Sequence, residues 1–301
     1  MASAAWRGLA RVAALAAALL PVAAMLPVAA QAADWPTTSI GDGPGAPAIA
    51  IDGVSAYILV KTVDGMATPV LVVESGGKEV LRVNGMAPGW DVPPGEATIV
   101  EMDPSNPYPE VVFTSFSGGA HCCTNVQIAV SDGTGKHWEA VEAGDFDGGG
   151  ENIVTDADGD GRGELVLPDN AFYYAFDCYA CSAAPLTVKR LEGRKLRDVS
   201  REPRYERLMR DHLAGLESWG TDQDIRRSNG YLAGWVASKS LVGEGAEAWA
   251  TMLKSYDQGS DWGLEMCKRP QPDGSCPEGQ SIRLTFPEAL AAFLAEHGYR
   301  L

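Results

Sequence analysis

From about residue 48 to residue 200 the chain is written in short apolar runs separated by turn residues. Tyr57-Ile-Leu-Val, Thr68-Pro-Val-Leu-Val-Val, Glu79-Val-Leu-Arg-Val, Ala97-Thr-Ile-Val and Glu110-Val-Val-Phe are rich in β-branched and aromatic residues, and Asp-Gly, Gly-Gly and Pro-Gly pairs punctuate them. Val126-Gln-Ile-Ala-Val and Trp138-Glu-Ala-Val continue the rhythm across Asp132-Gly-Thr-Gly135. Runs of this length between such turns predict strands joined by hairpins, and hence a many-stranded antiparallel region. After residue 200 the period changes. Tyr205, Leu208, Met209, Leu213 and Leu216 fall at helical spacing, Tyr231, Leu232, Trp235 and Val236 begin a second stripe that Gly243 can end, and Ala246, Trp249, Met252, Leu253 and Tyr256 make a third. Thr285-Phe-Pro-Glu288 has capping-box spacing with an early proline, and Leu290, Phe293 and Leu294 give that helix its apolar face before Gly298. The pattern predicts an α+β chain: an antiparallel β-rich domain over residues 33–200, followed by a mainly helical domain over 201–301.

Inside the β-rich stretch, Val100-Glu-Met-Asp-Pro-Ser-Asn-Pro-Tyr-Pro-Glu110-Val-Val-Phe lies over Val154-Thr-Asp-Ala-Asp-Gly-Asp-Gly-Arg-Gly-Glu164-Leu-Val-Leu at a constant offset of 54 residues. The second copy carries carboxylates at loop positions 1, 3, 5 and 9 (Asp156, Asp158, Asp160 and Glu164) and a glycine, Gly161, at position 6. Three aspartates two residues apart converge on one hard cation when the chain turns sharply between them, and the glycine permits the turn. Arg162 would offer its backbone carbonyl at position 7, and Glu164 would close the shell directly or through water. The expected cofactor is Ca2+. Position 12 is Leu167 where an EF-hand requires a bidentate glutamate, and the flanking runs read as strands, so the loop joins strands rather than helices. Asp156-x-Asp158-x-Asp160-Gly161-x-x-Glu164-Leu165 resembles the calcium loop of FG-GAP or VCBS-type repeats, the blades of integrin-like β-propellers. The resemblance covers about one blade, with Glu164 in place of the family's usual aspartate, and implies that Asp156, Asp158, Asp160 and Glu164 ligate a structural ion. The 54-residue period suits a blade, but about three such units fit where a closed propeller needs at least four, so a partial or atypical sheet assembly is expected.

Charge and compartment narrow the function. Arg7 and Arg11 precede an alanine- and leucine-rich stretch from Val12 to Ala30, and Ala30-Gln31-Ala32 fits a small-x-small cleavage site, so residues 1–32 are expected to be a cleaved signal peptide. Pro21 and Pro27 within that stretch argue against an uncleaved anchor. The mature protein would be periplasmic or secreted, with no membrane span. The whole chain carries a formal charge of −16; without residues 1–32 it has 22 basic and 40 acidic residues and a charge of −18, which excludes nucleic acid as a partner. Residues 33–200 hold 25 acids and 10 bases, and residues 201–301 hold 15 and 12, which supports a boundary near 200. Asp145-Phe-Asp147-Gly148-Gly-Gly-Glu151 reads as a solvated acidic turn or a poorer second cation site.

Six cysteines in an exported chain imply disulfides. Cys267 and Cys276 bracket a hairpin-like loop of Lys-Arg-Pro-Gln-Pro-Asp-Gly-Ser, and closing it contributes about 3 kcal/mol in the chain-entropy account. Cys122-Cys123 and Cys178-x-x-Cys181 follow the acids of the two copies at similar distances, and a cross-link between the duos is the simple expectation; the pairing itself cannot be deduced. Reduced, these four thiols with His121 would instead make a thiol redox or soft-metal centre. Phe113-Thr-Ser-Phe-Ser117-Gly-Gly-Ala-His121 could supply a nucleophile and base for a hydrolase, with a site near His121 or between the domains, although no nucleophile elbow, HExxH, P-loop or dinucleotide motif is present. Trp219, Trp235, Trp249 and Trp262 read as core, with a ligand groove as the alternative. The sequence thus points to an exported, calcium-stabilised, disulfide-bonded envelope protein with a binding or structural role and no assigned catalytic residue, its partner an envelope protein or glycan.

Overall fold

A computed structural model describes residues 35–41, 43–148 and 153–301. The expected signal peptide and Gly149 to Asn152 lie outside the described residues. Nine strands come first: β1 (Thr37–Ser39), β2 (Gly45–Ile51), β3 (Val54–Val63), β4 (Met66–Ser75), β5 (Lys78–Asn84), β6 (Gly95–Val100), β7 (Glu110–Phe116), β8 (Thr124–Ser131) and β9 (Trp138–Phe146). After them come β10 (Val154–Thr155), β11 (Glu164–Pro168), β12 (Leu186–Glu192) and β13 (Lys195–Asp198), with 3-10 turns at Asn170–Phe172, Tyr179–Cys181 and Pro203–Tyr205. The helices α1 (Glu206–Trp219), α2 (Gln223–Arg227), α3 (Asn229–Leu241) and α4 (Gly245–Met252) follow; then a small ribbon of β14 (Glu265–Cys267) and β15 (Ser281–Arg283), and finally α5 (Phe286–Glu296). The protein is an α+β fold, with an antiparallel β-rich region first and a helical region after it.

Three sheets stack in layers, each open at its edges: β2-β3-β4-β5, then β1-β6-β7-β8-β9, then β10-β11-β12-β13, all antiparallel. Alternation along β7 builds the stack. Val111 and Phe113 face the first sheet among Ile58, Leu71 and Val73, while Val112 faces the third among Leu165, Leu167 and Leu191. A strand with a sheet on either side is apolar on both faces, and this explains why Glu110-Val-Val-Phe reads as an unbroken run. The far face of the third sheet, with Val166 and Val188, packs on Tyr205, Met209 and Leu213 at the start of the helical region. A separate helical core gathers around Leu232, Val236, Met252, Phe286 and Leu290.

The helical stripes fold as helices, but α4 ends at Met252, short of the expected Leu253 and Tyr256. At the start of α5 the Glu288 carboxylate reaches back to accept the N–H of Thr285 at 2.8 Å, satisfying a donor that the first turn leaves open. The run from Phe172 to Phe176, strand-like in sequence, is not a strand. Asp169 caps a 3-10 turn there through the N–H of Ala171, and Phe172 and Phe176 drop edge-on against Phe293 and Phe286. Burying two phenyl rings in the helical core outweighs the β propensity of the run. Trp235 and Trp249 pack against that core, whereas Trp219 and Trp262 stand largely exposed.

All six cysteines are paired. Cys267–Cys276 closes as expected; the other two bridges are Cys122–Cys123 and Cys178–Cys181, each within its own duo, so the expected cross-link between the duos does not form. Cys122 and Cys123 sit in the loop between β7 and β8, where the chain has left the sheet. Gly118 there has a φ of +88°, and a Cβ on Gly119 would collide with the carbonyl oxygen of Cys122. The two glycines let the chain fold back on Cys122 as it leaves the sheet.

Candidate metal centre and the His121 cluster

The loop between β10 and β11 winds around Asp156. Its Oδ1 accepts the N–H groups of Gly159 at 2.8 Å and Asp160 at 2.9 Å, and its Oδ2 accepts that of Gly161 at 3.0 Å. Glycines at φ +80° (Gly159) and +88° (Gly161) make the wind possible. Carboxylate oxygens of Asp156, Asp158 and Glu164 then lie within 4.8 Å of one another. Of the sequence-expected ligands, Asp160 alone among the carboxylates stands aside: its Oδ2 pairs with the Arg162 guanidinium at 2.7 Å.

Glu164 is fully buried at the start of β11. One oxygen accepts the N–H of Ala157 at 3.1 Å and the other the Tyr205 hydroxyl at 3.0 Å. Burial raises its pKa, against these two hydrogen bonds. Burial likewise pushes the Tyr205 phenol up, with the Glu164 charge adding to the effect.

Two arginines from outside the loop complete the electrostatics. Arg190 on β12 stands 3.7 Å from Asp158 and 3.6 Å from Glu164, and Arg204 approaches Asp158 at 3.2 Å. Sequence reading missed both, and Tyr205 as well. They lie 34 to 49 residues away from the loop's first aspartate, and no local spacing signals them. The donor set is wholly hard oxygen and the three convergent carboxylates are of the right kind for Ca2+, so the residues fit the ion. Asp156, Asp158 and Glu164 would hold the ion, with Arg190 beside the last two and Arg204 beside Asp158.

A second constellation forms where β7–β8, the end of β9 and the turns after β11 meet. His121 Nδ1 lies 2.7 Å from Asp147 Oδ1, its Nε2 lies 2.9 Å from the Tyr174 hydroxyl, and its ring stacks on Tyr179 at 3.8 Å. Asp147 is nearly buried, and its N–H is held by Asn170 at 3.0 Å. Tyr174 is a non-glycine residue at φ +61°, with its carbonyl bonded to the Trp262 indole at 2.7 Å. Burial pushes the neighbouring Tyr173 up to about 12. Ser117, the expected nucleophile, is not part of the cluster: its hydroxyl bridges the Cys122 carbonyl at 2.9 Å and the Cys123 N–H at 2.6 Å. The acidic turn holding Asp147 thus supplies a partner for His121; its later residues, through Glu151, lie outside the described ones. Cys178 and Cys181 converge with Asp177, but as disulfide sulfurs they are not thiolate ligands.

Residues 209–298 match the family described as the sll0997 C-terminal domain. The chain is 38% identical over 234 residues to the probable thylakoid lumen protein sll0997 of Synechocystis, covering 77% of this chain and 68% of that protein. It is 39% identical over 223 residues to the uncharacterized protein y4bJ of Sinorhizobium fredii, covering 74% of this chain and 35% of that one, so the chain spans about a third of y4bJ. No solved structure matches.

Proposed function

As the chain belongs to the family of the probable thylakoid lumen protein sll0997, we propose that it is an exported protein with a binding or structural role in the envelope, stabilised by Ca2+ at Asp156, Asp158 and Glu164 and by its disulfides. The observation that carries the calcium reading is the convergence of three carboxylates within 4.8 Å around a loop wound on Asp156. The likeness to FG-GAP loops gives the ion a structural role, in which it ties β10 to β11 and, through Glu164 and Tyr205, ties the third sheet to the helical region. Export is supported by the amino-terminal sequence, by the paired cysteines and by the lumenal description of the relative.

Calorimetry of the mature, oxidised protein with Ca2+ and with chelator, for wild type and Asp158→Asn, tests the metal. At a hundred times the dissociation constant Ca2+ adds about 2.7 kcal/mol, which raises the midpoint by roughly 2–4 °C per kcal/mol for a chain of this size. The substitution abolishes that rise. A wild-type midpoint indifferent to Ca2+ overturns the reading and leaves a loop neutralised by Arg162, Arg190 and Arg204.

A hydrolase at His121 is the second reading, favoured by one observation: an acid at 2.7 Å and a hydroxyl at 2.9 Å on opposite nitrogens of the same imidazole. In that arrangement Asp147 orients the ring and Tyr174, not Ser117, stands where the reacting hydroxyl would be. Turnover of a simple aryl ester that disappears in both His121→Gln and Tyr174→Phe supports it; activity unchanged in either variant removes it.

A further inference from the structure

A groove of about 390 Å³ opens in the helical region between the end of α1, α2, α3 and the end of α4. Tyr231, Leu232 and Trp235 of α3 line it, and Arg226 and Lys254 reach it from α2 and from the turn after α4. Its volume falls in the range of small-molecule sites, and Thr221, Thr251 and Ser255 join the two cations and Glu217 as its polar groups.

The lining is fixed before any ligand arrives. The Tyr231 hydroxyl is spent on the Leu216 carbonyl at 3.2 Å, and its ring lies so close to Gly220 that a Cβ there would collide with it. The Trp235 indole N–H bonds Glu217 at 3.3 Å. Glu217, the acid in the groove, is already neutralised by Lys239 at 2.9 Å. The two cations are different. Among the described residues neither Arg226 nor Lys254 has an ion-pair partner, although the chain carries a net charge of −16. An acidic protein that sets two cations without ion-pair partners beside one groove with Trp235 in its wall has the charge complement of an anion and a face for an aryl group.

We propose that this groove binds a small aromatic carboxylate, its ring against Trp235 and its carboxylate between Arg226 and Lys254. The inference gives the binding role above a ligand class and rests on that half of the reading. It shares no residue with the calcium loop, so either can fail without the other.

Isothermal titration of the mature protein with 1-naphthoate, and in parallel with the uncharged 1-naphthalenemethanol, tests it, alongside NMR observation of the Trp235 indole N–H. Naphthoate binds, shifts the Trp235 resonance and exceeds the alcohol in affinity. The double variant Arg226→Gln, Lys254→Gln loses at least about tenfold, as expected for two charge-assisted contacts, while its melting midpoint stays at the wild-type value because both side chains are exposed. Equal affinity for acid and alcohol overturns the proposal. So does undiminished binding by the double variant, naphthoate binding that leaves Trp235 unshifted, or no binding at millimolar concentration.

Discussion

The loop from Val100 to Glu110 and the loop from Val154 to Glu164 are two copies of one design with different chemistry inside. Each ends in a fully buried glutamate that opens a strand, β7 or β11. Each glutamate turns back to accept a loop N–H at the same place in the repeat: Asp103 for Glu110 at 3.2 Å, and Ala157, 54 residues later, for Glu164 at 3.1 Å. What differs is the rest of the shell. Glu110 also accepts Met102 N–H at 2.8 Å and the Asn106 amide at 3.3 Å, all from its own loop and all without full charge. Glu164 answers to Tyr205 and Arg190 from beyond its loop, and shares its cluster with Asp156 and Asp158. The first copy is held by neutral donors and the second by charge. A glutamate at the head of a strand can therefore close either kind of loop, and the aspartates decide which.

The largest expected effect breaks the second loop. Glu164→Ala leaves Ala157 N–H and Tyr205 O–H without acceptors and takes from Arg190 one of its carboxylates, with Asp158 remaining, and costs about 2–4 kcal/mol, read as a shifted urea midpoint. A loss below about 1 kcal/mol, the net worth of a single ordinary hydrogen bond, would mean that Glu164 is replaceable by water.

Glu110 separates the loops by pH. Burial, with Glu101 and Asp103 adding their charges, pushes its pKa up to about 7 from 4.5, against the N–H groups of Met102 and Asp103. Between those values the folded chain holds a proton that the unfolded chain has released. This contribution to stability is therefore full below about pH 4.5 and is lost as pH rises through about 7. Its size is at most about 3 kcal/mol at 1.36 kcal/mol per unit. Glu110→Gln keeps the acceptor for both N–H groups and flattens the stability profile between about pH 4.5 and pH 7; a profile as steep as that of wild type would place the titration elsewhere.

Asn106→Ala removes the amide that bonds both Glu110 and the Ser131 carbonyl, at 3.3 and 3.2 Å, and costs about 1–2 kcal/mol. The same measurement made with and without Ca2+ should give the same number, because the first loop lacks the aspartates of the second. Smallest is Arg204→Gln. Its side chain is half exposed beside Asp158, so the change costs about 0–1 kcal/mol. If Ca2+ occupies the second loop, removing this competing charge tightens Ca2+ binding, as titration calorimetry would record.

Local signals sufficed wherever period and turn chemistry acted alone. The strand runs from Tyr57 to Val141 and the four helical stripes appear where spacing put them, the third ending at Met252 short of Leu253 and Tyr256, as do the Cys267–Cys276 bridge and the turn on Gly161. They failed at the aromatic run from Phe172 to Phe176, whose rings were claimed by a helical core that forms only when α3 and α5 arrive. They failed also at the two cysteine duos, where the expected cross-link gave way to local pairing.

By itself the sequence determined the order of β then α, the acidic character, the repeat at 54 residues and the loop that gathers aspartates, because each depends on neighbours within a few positions or on composition alone. Only the tertiary structure decided that Arg190, Arg204 and Tyr205 meet that loop, that His121 lies between Asp147 and Tyr174, and that Arg226 and Lys254 share a groove. Those encounters join residues from separate strands, helices and turns. They are set by the stacking of three sheets and a helical layer, which depends on the summed burial of many side chains and leaves no trace in the spacing of any few.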